Sequence, residues 1–258
     1  MERVLFIDNR YDNIKKYKNI SEYHRIYYGN EFCDVYLPSL KQICTLTNNI
    51  KLPITLVFPI LTENAFENAV EIIEYVFKYN LHIDEIVFND WGLYYYLNLN
   101  NYPFRLIAGR LIIKNKRDPR ISDFDYNILL TNQGIEALNK PLQKHYLNYY
   151  KMLNINRIEV DFFSVNSIYQ IDDFHITLWN DCNIISVGRI CPYANHWKSH
   201  RVIDSCNREC MIKHYKYRLK NKNTQVVLTQ YGNAIIDQSP CTTNTYDRIV
   251  FADFSNDG

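Results

Sequence analysis

Eight short runs of β-branched and aromatic residues, each bounded by polar positions, limit what this 258-residue chain can become. They fall at Val4–Ile7, Arg25–Tyr28, Ile54–Phe58, Glu85–Phe88, Phe104–Ala108, Arg157–Val160, His175–Trp179 and Asn183–Val187. Branching at Cβ and flat rings suit a pleated surface, so each run reads as a strand. The gaps between the first six are helical in pattern or long enough to hold a helix. The clearest spans Thr62 to Tyr79, where Phe66, Ala69, Val70, Ile73, Val76 and Phe77 recur at three- and four-residue spacing. Thr62 is the expected N-cap, with Glu63 and Glu67 near the positive end of the helix dipole. A shorter helix is expected over Asp90–Leu99, and at least one more within Tyr126–Leu153, started or interrupted by Pro141. Strands alternating with helices imply parallel βαβ units. Six in a row fit a barrel better than an open sheet.

The tail departs from that rhythm. His175–Trp179 and Asn183–Val187 are separated only by Asn180-Asp181-Cys182, which is hairpin spacing. A second alternating pair, around Gln225–Leu228 and Ala234–Ile236, flanks the turn-like Tyr231-Gly232-Asn233. No linker, repeat or low-complexity run divides the chain. The expectation is a single α/β domain over residues 1–258: an incomplete or distorted β/α barrel. Residues 175–258 would form an irregular, cysteine-bearing β segment that closes it.

Composition removes several classes of function. A hydrophobic fraction of 47% is ample for a packed core, so wholesale disorder is excluded. A formal charge of +1 argues against a dedicated nucleic-acid binder held by phosphate contacts. The longest apolar stretches, Ile54–Ile60 and Arg105–Ile113, are strand-sized, so no membrane span is expected. Glu2 and Asp8 crowd a very short apolar run at the N-terminus, unlike a signal peptide, and a cytoplasmic location is expected. In that compartment the seven cysteines stay reduced. Metal binding, catalysis and core burial remain for them.

Three of the cysteines stand out. Cys191, Cys206 and Cys210 have the spacing C-x14-C-x3-C, and their flanks are polar: Asn207, Arg208, Glu209, Lys213 and His214. A three-residue gap brings two sulfurs to one side of a helical turn, and a looser loop brings in the third. The fourth position around a tetrahedral metal centre then falls to a remote ligand, Cys33 or Cys44. Zinc and iron–sulfur both fit sulfur ligation. Cys182 and Cys241 read as core residues, as small buried hydrophobes usually are. His196 and His200, at i and i+4 beside Cys191, are alternative ligands.

Several stretches resemble, in order, the collagenase-like peptidase family, peptidase U-thirty-two. They are Tyr27-Tyr28-Gly29-Asn30-Glu31-Phe32-Cys33, Asn89-Asp90-Trp91-Gly92, Ala108-Gly109-Arg110, Arg189 to Cys191, and Cys206 to Cys210. The chain is most similar to the small members that assist anaerobic ubiquinone biosynthesis, above all the V-type. The resemblance implies a 4Fe–4S cluster held by Cys33, Cys191, Cys206 and Cys210, in preference to zinc. It implies a place in oxygen-independent hydroxylation, as a heterodimer with a sister barrel of the same family. Other roles stay open: a non-catalytic partner subunit, a zinc-stabilised binding protein, or a peptidase.

Two further sets of residues are candidates. Arg110, Lys114, Lys116, Arg117 and Arg120 form the one concentrated basic run. Such a run is either a solvated face or an anion site, since guanidinium groups grip carboxylate and phosphate in bidentate fashion. The resemblance adds a small dicarboxylate, or RNA, as the ligand. Asp8, Asp90 and Asp161 each follow a strand, where a barrel gathers its active-site groups. Asp161 and Arg110 are the catalytic candidates, whereas Asp90 reads better as a helix cap. No Gly-rich phosphate loop, GxSxG elbow, HExxH run or radical-SAM cysteine motif is present.

Overall fold

The computed structural model describes residues 1–11, 20–113, 144–161, 174–195, 206–212, 217–219, 228–238 and 246–252. Eight strands close into an all-parallel barrel: β1 (Glu2–Asp8), β2 (Arg25–Gly29), β3 (Ile54–Phe58), β4 (Ile83–Phe88), β5 (Arg105–Ala108), β6 (Arg157–Asp161), β7 (His175–Trp179) and β12 (Arg248–Ala252). Between β7 and β12 the chain forms a separate antiparallel sheet. Its strands are β8 (Asn183–Val187), β9 (Tyr217–Leu219), β10 (Leu228–Tyr231) and β11 (Ala234–Asp237), in the order β8-β11-β10-β9. The α/β barrel expected from the alternating runs is the observed fold.

The manner of closure differs from expectation. The ring is complete, and the strand that closes it, Arg248–Ala252, carries no cysteine. Its Arg-Ile-Val-Phe-Ala run pairs in parallel with both β1 and β7. Nor do β7 and β8 form a hairpin. Asn180 N donates to Val250 O at 2.9 Å and Asp181 Oδ2 accepts from Ala252 N at 2.7 Å. Those bonds tie the linker to β12, and the chain leaves the barrel for the second sheet. The expected late turn is real: β10 and β11 pair antiparallel, from Leu228 against Asp237 to Tyr231 against Ala234.

Period-two alternation divides the barrel residues between two cores. Leu5, Ile7, Ile26, Ile54, Leu56 and Phe58 face outward and pack with the helices α1 (Leu40–Asn49) and α2 (Glu63–Lys78). Val4, Phe6, Tyr27, Val57, Val87, Ile107, Trp179 and Val250 fill the interior. Helix α1 begins with a full capping box, Ser39 and Gln42 each satisfying the other's backbone N–H. In α2 the buried stripe is Ala65, Ala69, Ile72, Ile73 and Val76. Ala69, Ile73 and Val76 are where the periodicity expects them; Phe66 and Val70 are only partly buried, and Phe77 is exposed while its ring meets Tyr102 edge-on at 5.3 Å. Thr62 holds the N-cap place without a side-chain bond; its own N–H goes to Asp34 Oδ2 at 3.0 Å. Helix α3 (Trp91–Leu99) starts at Asp90, whose carboxylate accepts from Leu93 N. The capping reading of Asp90 therefore holds.

One glycine is dictated by sterics. Gly29 ends β2 at φ +142°, and a Cβ there would lie 2.2 Å from the backbone oxygen of Val57 in the neighbouring strand. This close approach delivers Asn30, Glu31 and Cys33 to the C-terminal end of the barrel. No helix among the described residues is long and apolar enough to cross a membrane.

Candidate metal centre

Interior carboxylates and arginines occupy both ends of the barrel. At the N-terminal end Arg248 bonds Glu2, Glu85 and Tyr27, while Arg25 bonds Glu2, Thr55 and Asp84. At the C-terminal end the centre is Arg110, the first residue of α4 (Arg110–Ile113) and only 2% exposed. Its Nε and Nη2 donate to the two oxygens of Glu31 at 3.0 and 2.6 Å. Nη1 donates to Asp161 Oδ1 at 2.6 Å and to Cys182 O at 2.9 Å. The guanidinium carbon lies 3.9 Å from the centre of the Trp179 ring. Asp161 uses its other oxygen to accept from Ile184 N.

The second sheet lies over this end. Ile184, Tyr231, Ala234 and Ile236 join the same core as the barrel interior. Tyr231 donates its hydroxyl to Asp8 Oδ2 at 2.9 Å, and Asn233 donates to Phe32 O at 2.7 Å. Asp8 also binds Arg10 and Asn30. Sequence reasoning placed Arg110 and Asp161 at the mouth, and they are there. They bind each other, because α4 points the guanidinium inward between two buried acids, Glu31 and Asp161. Lys114, Lys116, Arg117 and Arg120 lie outside the described residues, as do His196, His200 and Cys241.

Burial shapes the acids' chemistry. It pushes Asp161 up to about 6 against the pull of Arg110. Burial and the neighbouring charge of Glu31 push Glu159 up to about 8. Trp179 Nε1 donates to Glu159 Oε2, while Oε1 has no partner. Neither Glu31 nor Glu159 was singled out from the sequence. The signal was present in Arg157-Ile158-Glu159-Val160-Asp161, where alternation puts the acid at 159 on the same face as Asp161.

Near the same end of the barrel lie four cysteines from three segments. Cys33 opens the 3-10 turn Asp34–Tyr36; Cys191 precedes α5 (Pro192–Asn195); Cys206 and Cys210 bracket the start of α6 (Glu209–Ile212). All four are partly exposed. Neighbouring thiols add to the cost of ionising three of them: Cys206 acts on Cys33, Cys210 on Cys191, and both Cys191 and Cys210 on Cys206. Burial is the larger cause, pushing Cys33 up to about 12 and raising Cys191 and Cys206. Backbone N–H groups oppose it, with Val35 aimed at Cys33, Ala194 and Tyr193 at Cys191, and Arg208 at Cys206. Asn30 fixes the first loop by accepting from the N–H groups of Phe32 and Cys33.

The other described cysteines lie elsewhere. Cys182 is 1% exposed beside Arg110, and Cys44 sits in α1 with its sulfur 3.1 Å from the Tyr75 hydroxyl. Among the described residues, no three His, Cys, Asp or Glu side chains form a group that could hold a metal ion. Comparison of the sequence with models of known families finds no match, and comparison with curated proteins finds none either.

Proposed function

We propose that this β/α-barrel protein carries a 4Fe–4S cluster on Cys33, Cys191, Cys206 and Cys210, as the resemblance to peptidase U-thirty-two implies. The observation that supports the reading is that three segments meet: Tyr36, in the turn that Cys33 opens, has its hydroxyl 3.5 Å from Cys210 Sγ, and the helix after Cys191 packs on the one that holds Cys210. Sulfur donors alone, with backbone N–H groups directed at them, suit an iron–sulfur cluster.

When bound, the cluster supplies one-electron transfer. The chain's own residues position the sulfurs and offset their charge: Asn30 holds the Cys33 loop, and the amides of Val35, Tyr193, Ala194 and Arg208 face sulfur. The barrel mouth beside them is filled by Glu31, Arg110, Asp161 and the second sheet. That filling supports a component of an oxygen-independent hydroxylation or related modification system, completed by a partner of the same family. An oxygen-sensitive cluster and reduced thiols suit the cytoplasm.

The test is co-expression with a sister barrel, followed by turnover assays on each chain and on the pair. Activity confined to the pair is the expected result. Full turnover by the cluster-loaded chain alone would overturn the partnership.

A further inference from the structure

We propose that helix α3 and the helix Lys144–Met152 form a face that docks on a second copy of this chain, giving a twofold dimer; the inference is independent of the cluster reading. Helix α3 reads Trp91-Gly92-Leu93-Tyr94-Tyr95-Tyr96-Leu97-Asn98-Leu99 and carries no charge. Leu93, Tyr94 and Leu97 are buried in the core, yet Tyr95 and Leu99, one turn apart, stay exposed, Leu99 at 80%. A helix apolar all round belongs in a buried setting, which one barrel alone does not supply.

The apolar face continues sideways. The ring of Trp91 stacks on Tyr150 at 6.3 Å and meets Tyr149 edge-on at 6.5 Å, and the Tyr94 hydroxyl donates to Leu153 O at 2.8 Å. Those contacts set the helix Lys144–Met152 beside α3, where it exposes Tyr146, Tyr149 and Met152. Single apolar side chains on a surface mean little, but these lie on two adjoining helices. Tyrosine and methionine are also types enriched at protein interfaces.

The occupant follows from charge. On its other side α3 adjoins α2: the Phe66 ring meets that of Tyr96 at 6.0 Å, and the Tyr96 hydroxyl donates to Glu74 Oε1 at 3.0 Å. The exposed charges of α2 are Glu63, Glu67, Glu71 and Glu74 against Lys78. The helix Lys144–Met152 contains no acid and exposes His145 and Lys151. A twofold axis running along α3 lays that helix on its copy and sets each acidic α2 over the other chain's His145 and Lys151. A face acidic on one flank and basic on the other, with an uncharged ridge between, is complementary to itself. A closed isologous dimer requires that property.

Sedimentation velocity of the full-length chain at tens of micromolar reads the mass, and a dimer is expected. Leu99→Lys sets two ammonium groups against each other near the axis and should raise the dimer dissociation constant about thirtyfold or more. Met152→Lys is a second break on the same face, at a side chain 81% exposed. Both positions are on the surface, so melting curves should match wild type. Ile190→Lys, at an exposed apolar residue outside the face, is the control and should stay dimeric. Glu74→Lys and Lys151→Glu should each weaken the dimer, and the two combined in one chain should restore it. A monomeric wild-type chain overturns the proposal, even if a different protein docks on the face. So does a dimer indifferent to Leu99→Lys and Met152→Lys, or a charge swap that restores nothing.

Discussion

Arg110 grips Glu31 through two parallel hydrogen bonds, Nε to Oε1 at 3.0 Å and Nη2 to Oε2 at 2.6 Å, at the place where a barrel ordinarily receives its substrate. Asp161 and the carbonyl of Cys182 take the Nη1 donors, and the Cys182 sulfur stands 3.8 Å from Nη2. The arginine therefore neutralises acids that the fold has buried. Arg110→Ala should destabilise the protein by about 3–5 kcal/mol, since it strands buried carboxylates without their counter-charge. Denaturant melts check this. A loss below about 1 kcal/mol would return Arg110 to the role of a free anion ligand.

Glu159 makes stability fall as pH rises. Its carboxyl moves from an ordinary value of 4.5 to about 8 in the folded protein, so the native state holds this proton more tightly than the unfolded chain. The stabilisation is fully present below pH 4.5 and is lost as pH climbs through about 8. Glu159→Gln keeps an oxygen for Trp179 and removes the titration. Relative to wild type it should gain on the order of a few kcal/mol between pH 5 and pH 9. Parallel pH profiles of the two proteins would refute the assignment.

Gly29→Ala tests the close approach of β2 and β3. A methyl group would meet the Val57 carbonyl oxygen at 2.2 Å, and that backbone is fixed by its own ladder. The expected loss is roughly 2–4 kcal/mol, read from denaturant melts, with reduced cluster loading because the strain falls next to Asn30 and Cys33. A fully stable variant would show that the strands separate more freely than their register implies.

How far the sequence announced this structure depends on what carries the signal. Runs such as Ile54–Phe58 and His175–Trp179 are dense in β-branched residues, and both strands begin and end where those runs do. Arg248–Ala252 has the same character, yet it sits in a polar tail and its role is fixed only by distant partners in β1 and β7. The route from β7 to β8 was illegible for a similar reason. Three residues suit a hairpin, and only the bonds of Asn180 and Asp181 to β12 send the chain elsewhere. Spacing singled out Cys191, Cys206 and Cys210, but choosing Cys33 over Cys44 needed the family pattern. Arg110 was found as a charge at the mouth. Its partners Glu31 and Asp161 lie 79 and 51 residues away, and no local pattern encodes that pairing.

The cysteines divide into two groups with opposite expectations. Cys33→Ala, Cys191→Ala, Cys206→Ala and Cys210→Ala should each bleach or destabilise the cluster, because loss of a thiolate leaves an iron open. Cys44→Ala and Cys182→Ala should keep the visible spectrum, since one sulfur lies between α1 and α2 and the other inside the barrel mouth. Visible absorbance of anaerobically prepared variants separates the groups. Bleaching by Cys44→Ala but not by Cys33→Ala would show that the remote ligand is misassigned.

The central claim is tested most directly by metal and sulfide analysis of the wild-type chain prepared without oxygen, together with its absorbance spectrum. A 4Fe–4S site predicts brown protein with about four irons and four sulfides per chain, bleached by reduction or air. Colourless protein holding one zinc per chain would contradict it, and the redox role would fall with it.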